Sequence, residues 1–303
     1  MIDMSTEIAG VKFKNPIITA SGTFGFGEEF GEYADLSEYG GICVKGLTLK
    51  PRAGNRPPRI AETPSGILNS VGLQNPGVEY FAEHDVPKLK KLDTNIIANM
   101  SGNTTEEYCR MAEILSDTDI SMIEMNISCP NVKCGGMSFG TDAKTVEALT
   151  KEVKKYAKKP LIVKLSPNVT SVKEIAAAAE SGGADAVSLI NTLLGMVIDV
   201  DTRKPVLANN TGGLSGPAVR PVAVRMVYEV RNTVKIPIIG MGGIMSGRDA
   251  VEFMIAGADI TAIGTGMFIK PDLILSVKKE ISEYMQKHNI KSCKEIVNTL
   301  SLN

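Results

Sequence analysis

The chain has 303 residues, 43% of them apolar and 22% charged, with a formal net charge of −1. That length leaves one large or two ordinary domains open, with material for a sizeable core. Interspersed charges of near-zero sum exclude the basic footprint of a nucleic-acid or anionic-membrane binder. No run approaches the roughly 20 apolar residues that span a bilayer. The opening Met1-Ile2-Asp3-Met4 carries no signal-peptide pattern, so a cytoplasmic protein is expected. Five cysteines, at 43, 109, 129, 134 and 293, include no CxxC pair. Their number and spacing argue against a disulfide framework, zinc or an iron–sulfur cluster within this chain.

Short apolar runs alternate with amphipathic segments in chain order, the pattern of repeated βα units. Strands are predicted at 17–20, 42–45, 95–99, 122–127, 161–165, 186–190, 236–240 and 259–264. Eight strands suggest one closed (β/α)₈ TIM barrel over residues 1–303, with a doubly wound open sheet as the competitor. Thr104 with Glu107, Ser171 with Glu174 and Ser246 with Asp249 place an N-cap three residues before an acid. The first two pairs are expected to close as capping boxes. Gly182 and Gly257 stand where a left-handed C-terminal cap would end a helix. Val146, Leu149, Val153 and Tyr156 form one apolar stripe between Lys144 and Lys158.

Long segments rich in Gly, Pro and Asn follow the second, fourth and sixth strands, at 51–77, 129–141 and 191–217. All leave strand C-termini, the face on which barrel enzymes build their sites. Insertions of this length without secondary structure of their own read as lids or binding loops.

Three signals carry chemistry. Asn126-Ile127-Ser128-Cys129-Pro130-Asn131-Val132 ends the fourth strand, with amides flanking a thiol as a planar ligand of alternating donors and acceptors requires. A thiol after an apolar strand is by itself more often a small buried hydrophobe than a catalyst. Lys45 closes the second strand, and Lys164 sits inside Leu161-Ile162-Val163-Lys164-Leu165, where an unpartnered charge is costly. Glycines at Gly240, Gly242 and Gly243 after the seventh strand, and at Gly264 and Gly266 after the eighth, let backbone N–H groups approach a phosphate. Together these point to a phosphorylated cofactor with a lysine near its ring and a thiol across a small ligand.

The 126–132 segment resembles the motif of type 1 dihydroorotate dehydrogenases. Gly46-Leu47-Thr48, Pro51-Arg52, Gly54-Asn55 and Pro57-Pro58-Arg59 resemble the second-strand loop of the 1B branch. Asn69-Ser70-Val71-Gly72-Leu73-Gln74-Asn75 is similar to its substrate loop, and Ile190-Asn191-Thr192 to the end of strand 6. Pro237-Ile238-Ile239-Gly240 and Gly242-Gly243-Ile244 are similar to its flavin-phosphate region. The likeness covers nearly the whole chain in order.

It implies an FMN barrel that oxidises (S)-dihydroorotate to orotate in pyrimidine biosynthesis. Cys129 would take the proton from carbon 5 while hydride leaves carbon 6 for the flavin. Lys45, Asn69, Ser70, Val71, Gly72, Leu73, Asn126, Asn131, Asn191 and Thr192 would hold the substrate. Ser21, Lys45, Gly46, Asn99, Asn126, Lys164, Ile190, Gly216, Gly242, Gly243, Gly264 and Thr265 would hold FMN. Lys164 would stabilise the reduced, anionic ring. The resemblance further implies a partner subunit with FAD and a [2Fe–2S] cluster that passes electrons to NAD⁺. Two copies of each chain would form a heterotetramer. Cys134, in the same loop, falls outside the motif, and Cys43, Cys109, Cys293, His84 and His288 read as structural. A type 1A enzyme reducing fumarate, a dihydropyrimidine dehydrogenase-like module and a non-catalytic phosphate-binding barrel are the competing readings.

Overall fold

The computed structural model describes residues 2–128 and 139–303. Eight parallel strands close on themselves: β1 (Ile17–Thr19), β2 (Gly41–Cys43), β3 (Asn95–Met100), β4 (Met122–Asn126), β5 (Leu161–Lys164), β6 (Ala186–Leu189), β7 (Ile238–Met241) and β8 (Ile260–Ile263). Each pairs with its sequence neighbours, and β8 pairs back onto β1 with Ala262 opposite Ile18. The open-sheet alternative is thereby eliminated. Six longer helices flank the strands: α1 (Thr105–Ser116), α2 (Ala143–Lys154), α3 (Val172–Ser181), α4 (Arg220–Arg231), α5 (Gly247–Ala256) and α6 (Leu273–Lys287).

Two apolar layers hold this arrangement. The outer one lies between strands and helices and includes Ile96, Ile123, Val146, Val163, Val187 and Val227. The inner one fills the barrel with Ile18, Ile97, Met122, Ile162, Ala186, Ile239 and Ile260, a packed core of the kind parallel barrels require. Ile8 and Phe13 join that inner cluster from an antiparallel hairpin, Thr6–Ile8 with Val11–Phe13. Because Ile18, Met122, Ile162 and Ala186 stand at or near strand starts, the hairpin stoppers the end away from the strand C-termini.

Thr104, Ser171 and Ser246 cap α1, α3 and α5, each accepting the backbone N–H three residues on. At α1 the expected reciprocal half is displaced: Glu107 accepts from the backbone of Asn103, one residue before the cap. The left-handed residue after α3 is Gly183 (φ 91°), not Gly182, which is still right-handed at φ −72°. Gly257 at φ 122° does end α5. Of the apolar stripe, Val146, Leu149 and Val153 are buried, but α2 stops at Lys154 and Tyr156 beyond it is exposed.

The main departure concerns the long loops. Segments Ile60–Thr63 and Gly66–Asn69, after β2, pair with Gly212–Ser215 and Leu193–Gly195, after β6, in one four-stranded antiparallel sheet. The two insertions thus form a shared roof over the strand C-termini. No helix among the described residues is long and apolar enough to cross a membrane.

Truncating Phe13 leaves an aromatic-sized void where the hairpin stoppers the barrel. Phe13→Ala should cost about 3–5 kcal/mol of stability. A urea titration checks this; an unchanged midpoint would show that the hairpin does not help hold the barrel.

Candidate active site

Side chains on a strand alternate between its two faces, so inward residues come every second position. Along β3 to β6 the inward series begins apolar with Ile97, Met122, Ile162 and Ala186. Two residues on, it becomes polar: Asn99, Glu124, Lys164 and Ser188, all buried. The same step on β1, β7 and β8 gives Ala20, Met241 and Ala262. One side of the upper barrel is therefore polar and the other apolar.

A cavity of about 840 Å³ opens above this layer, walled by the strand ends and covered by the roof sheet. Every candidate within the described residues lines it. Ser21, Lys45, Gly46, Asn99, Asn126, Lys164 and Ile190 come from the strand ends. Asn69, Ser70, Val71, Gly72, Leu73, Asn191 and Thr192 come from the roof side. Gly216, Gly242, Gly243, Gly264 and Thr265 converge at the remaining end. Cys129, Asn131 and Cys134 lie outside the described residues, although Ser128 and Thr141 also line the cavity.

Lys164 points inward. Its Nζ donates to Ser21 Oγ (3.1 Å) and lies 3.7 Å from Glu124 Oε1. Glu124 was not singled out from the sequence, yet it organises the polar side. Oε1 accepts from Asn99 Nδ2 (2.6 Å) and from the Cys43 thiol (3.4 Å), and Oε2 from Ser188 Oγ (2.8 Å). Burial pushes its carboxyl pKa up, but the Lys164 charge and these hydrogen bonds outweigh that and leave it below the ordinary value. The signal was available: an acid in the apolar run Met122-Ile123-Glu124-Met125 poses the same problem as a lysine in such a run.

Lys45 Nζ donates to the carbonyl of Gly22 (2.9 Å). Burial lowers its pKa, with the charges of Arg59 and Lys164 acting in the same direction. Asn126 Oδ1 accepts from the backbone of Ser128 (3.0 Å) and from Asn191 Nδ2 (3.3 Å), tying the ends of β4 and β6. Asn168, also unforeseen, donates to the Thr192 carbonyl and accepts from the backbone of Leu194, pinning the roof to the top of β5.

At the glycine end, Gly216, Gly242 and Gly243 have φ of 102°, 134° and 77°, a region closed to most side chains. A Cβ on Gly243 would lie 2.7 Å from the Gly216 carbonyl, and one on Gly242 would lie 2.8 Å from Ala223 Cβ. Backbone approaches this end without side chains intervening, as phosphate binding demands. Among the described residues no cluster of His, Cys, Asp and Glu could hold a metal ion.

Residues 3–285 match the family model described as dihydroorotate dehydrogenase. The chain belongs to the dihydroorotate dehydrogenase family. The matched span contains the whole barrel and every candidate named above. Relatives from several bacteria carry the name dihydroorotate dehydrogenase B (NAD(+)), catalytic subunit. Those of Alkaliphilus metalliredigens and Alkaliphilus oremlandii are 58% and 57% identical, over 99% and 98% of this chain and 99% of each relative. That of Bacteroides thetaiotaomicron is 55% identical over the full length of both chains.

Beneath the cavity Cys43 is an inert thiol. Burial and the neighbouring Glu124 charge raise its pKa well above the usual value. Burial also raises that of Cys109, and that of Cys293 to about 11. Since the thiolate is the reactive form, none of the three should label with a disulfide reagent in the native protein at mildly alkaline pH. Peptide mapping after brief exposure checks this; label on Cys43 before unfolding would contradict the buried placement.

Proposed function

We propose that this dihydroorotate dehydrogenase oxidises (S)-dihydroorotate to orotate in pyrimidine biosynthesis, as the FMN-bearing catalytic subunit of an NAD⁺-linked assembly. One observation carries the reading. A single cavity gathers a backbone-lined glycine cradle at one end and, at the other, two ammoniums with the amides of Asn69, Asn126 and Asn191.

The residues present fit FMN. Gly216, Gly242, Gly243, Gly264 and Thr265 would hold the phosphate end, and Ser21, Gly46, Asn99, Lys164 and Ile190 the ribityl chain and ring. Asn99 Oδ1 is buried without a hydrogen-bond partner among the described residues, as expected where a ligand supplies one. A volume of about 840 Å³ lies within the range of pockets that enclose whole small molecules. When bound, FMN supplies the two-electron acceptor for the hydride from carbon 6 of dihydroorotate.

The chain's own residues perform the remaining tasks. Lys45, the amides of Asn69, Asn126, Asn131 and Asn191 and the hydroxyl of Thr192, with the backbone of Ser70 to Leu73, hold the substrate carboxylate and ring. Cys129 takes the proton from carbon 5, and the 126–132 motif and Ser128 on the cavity wall support that assignment. A free thiol titrates near 8.5, so the site must favour the thiolate or pass the proton on. The roof sheet covers part of the cavity mouth above these residues. Cys129→Ala should still bind FMN but lose about 10²–10⁴-fold in dihydroorotate oxidation, the usual worth of a general base. Stopped-flow bleaching of the flavin by dihydroorotate measures this; a rate near wild type removes Cys129 from the role. A Cys134→Ala chain serves as the control that stays active.

The name "catalytic subunit" that the relatives carry implies an electron-transfer partner, to which we assign FAD and a [2Fe–2S] cluster. We assign two copies of each chain to the assembly. Leu194 on the roof sheet, with Met196, Ile198 and Val200 in the segment that follows it, is apolar and exposed and suits a protein contact. The chain alone should reduce an artificial acceptor with dihydroorotate but not NAD⁺, and adding the partner should restore NADH formation at 340 nm. NADH production by the pure chain would dissolve the partner requirement, and efficient fumarate reduction would mark a type 1A enzyme.

A further inference from the structure

The ion pair beneath the cavity has a role that the assignment of Lys164 leaves open. Lys164 and Glu124 are 6% and 2% exposed at their side chains, so neither charge is hydrated from bulk water. Glu124 is the better anchored of the two. It accepts from Asn99 of β3 and Ser188 of β6, while Cys43 of β2 contributes a weaker donor. Donors from three strands, β2, β3 and β6, thus converge on one carboxylate carried by β4. Lys164 rises from β5, between β4 and β6, and reaches Ser21 past the end of β1. Its remaining ionic neighbours are the second ammonium, Lys45, and the high-pKa thiol of Cys43. Glu124 is therefore the one anion among the described residues within ion-pair distance of this ammonium.

A buried ammonium without a counter-ion gives up its proton or moves to water. Either change removes positive charge from the cavity wall. We propose that Glu124 is the positioning residue that holds the Lys164 ammonium against the cofactor ring, and so sets how readily the flavin is reduced. This rests on the FMN reading of the cavity. Glu124 touches neither cofactor nor substrate; it acts through Lys164 and, by way of the Asn99 amide, through a second residue at the ring.

The test is the reduction equilibrium of FMN-loaded protein, read by dye equilibration at neutral pH, together with FMN affinity from fluorescence quenching. Four chains are compared: wild type, Glu124→Gln, Lys164→Met and the double variant. Lys164→Met should lower the reduced-to-oxidised ratio at a fixed potential by about tenfold or more, as loss of a close charge in a low-dielectric site implies. Glu124→Gln should shift it in the same direction by a similar factor. The double variant should lie within about twofold of Lys164→Met, since two residues acting through one charge are not additive. Ser188→Ala, which removes only one hydrogen bond to the carboxylate, should give a smaller shift of the same sign, about threefold.

Three results would overturn the role: Glu124→Gln matching wild type, its effect adding in full to that of Lys164→Met, or a shift favouring the reduced ring. The last would make the carboxylate a brake on Lys164 rather than its support. If Glu124→Gln does not fold, Ser188→Ala decides, and an unshifted equilibrium there overturns the proposal. A colourless wild-type chain that takes up no added FMN would sink the cofactor reading, and this role with it.

Discussion

A strand in a closed parallel barrel offers its interior one side chain in two, and that spacing governs what this protein can place under its cavity. The inner residues near the strand starts must be apolar to fill the barrel, and they are. The next inward position, about 6.6 Å further along, is the first that a ligand at the strand ends can sense. On β3 to β6 the chain puts Asn99, Glu124, Lys164 and Ser188 there, so polarity begins where packing ceases to be needed. Two of the four carry charge. Placing an isolated charge in that layer would be prohibitive, and removing one partner of a buried pair typically costs about 3–5 kcal/mol. The polar layer is thus conceivable only as a set, with every member satisfied by another or by a ligand.

That interdependence explains the division of the cavity. The polar half, with Lys164, Asn99 and Asn126, suits a ring with donors and acceptors at its edge. The apolar half above Ala20 and Met241 suits the flat face of such a ring. Glycine at 216, 242 and 243 replaces side chains with bare backbone at the third side, where a phosphate needs N–H groups rather than bulk. The family match across residues 3–285 spans every residue that lines this cavity.

Much of this was legible beforehand because β strands in a parallel barrel are short, apolar and separated by capped helices. The eight predicted strands fall within a few residues of those observed. Residues at their C-terminal ends share one cavity for a topological reason, since parallel strands all finish on the same face. The roof sheet was not legible. Its strands are three or four residues long and rich in glycine, and the pairing that joins its two halves spans more than a hundred residues, so no local period marks them. Glu124 escaped notice because attention to this segment went to the Asn126–Val132 motif at the strand end. Gly182 was taken as the left-handed residue because two glycines adjoin there, and only the backbone decides between them. The thiol motif at 129–131 remains a sequence argument, outside the described residues.

The roof also has a consequence for how the molecule comes to be folded. Its halves follow the second and sixth barrel strands, and Gly213 pairs with Asn69 across 144 positions of chain. Pairing so remote in sequence bears its loop-closure entropy in advance of any reward. The strands from β2 to β6 bring these ends together first and shorten the effective loop to the span of the barrel mouth. The joint between the two halves is therefore the part of the cover that waits on the barrel strands between them, while each half is a local hairpin that forms on its own terms.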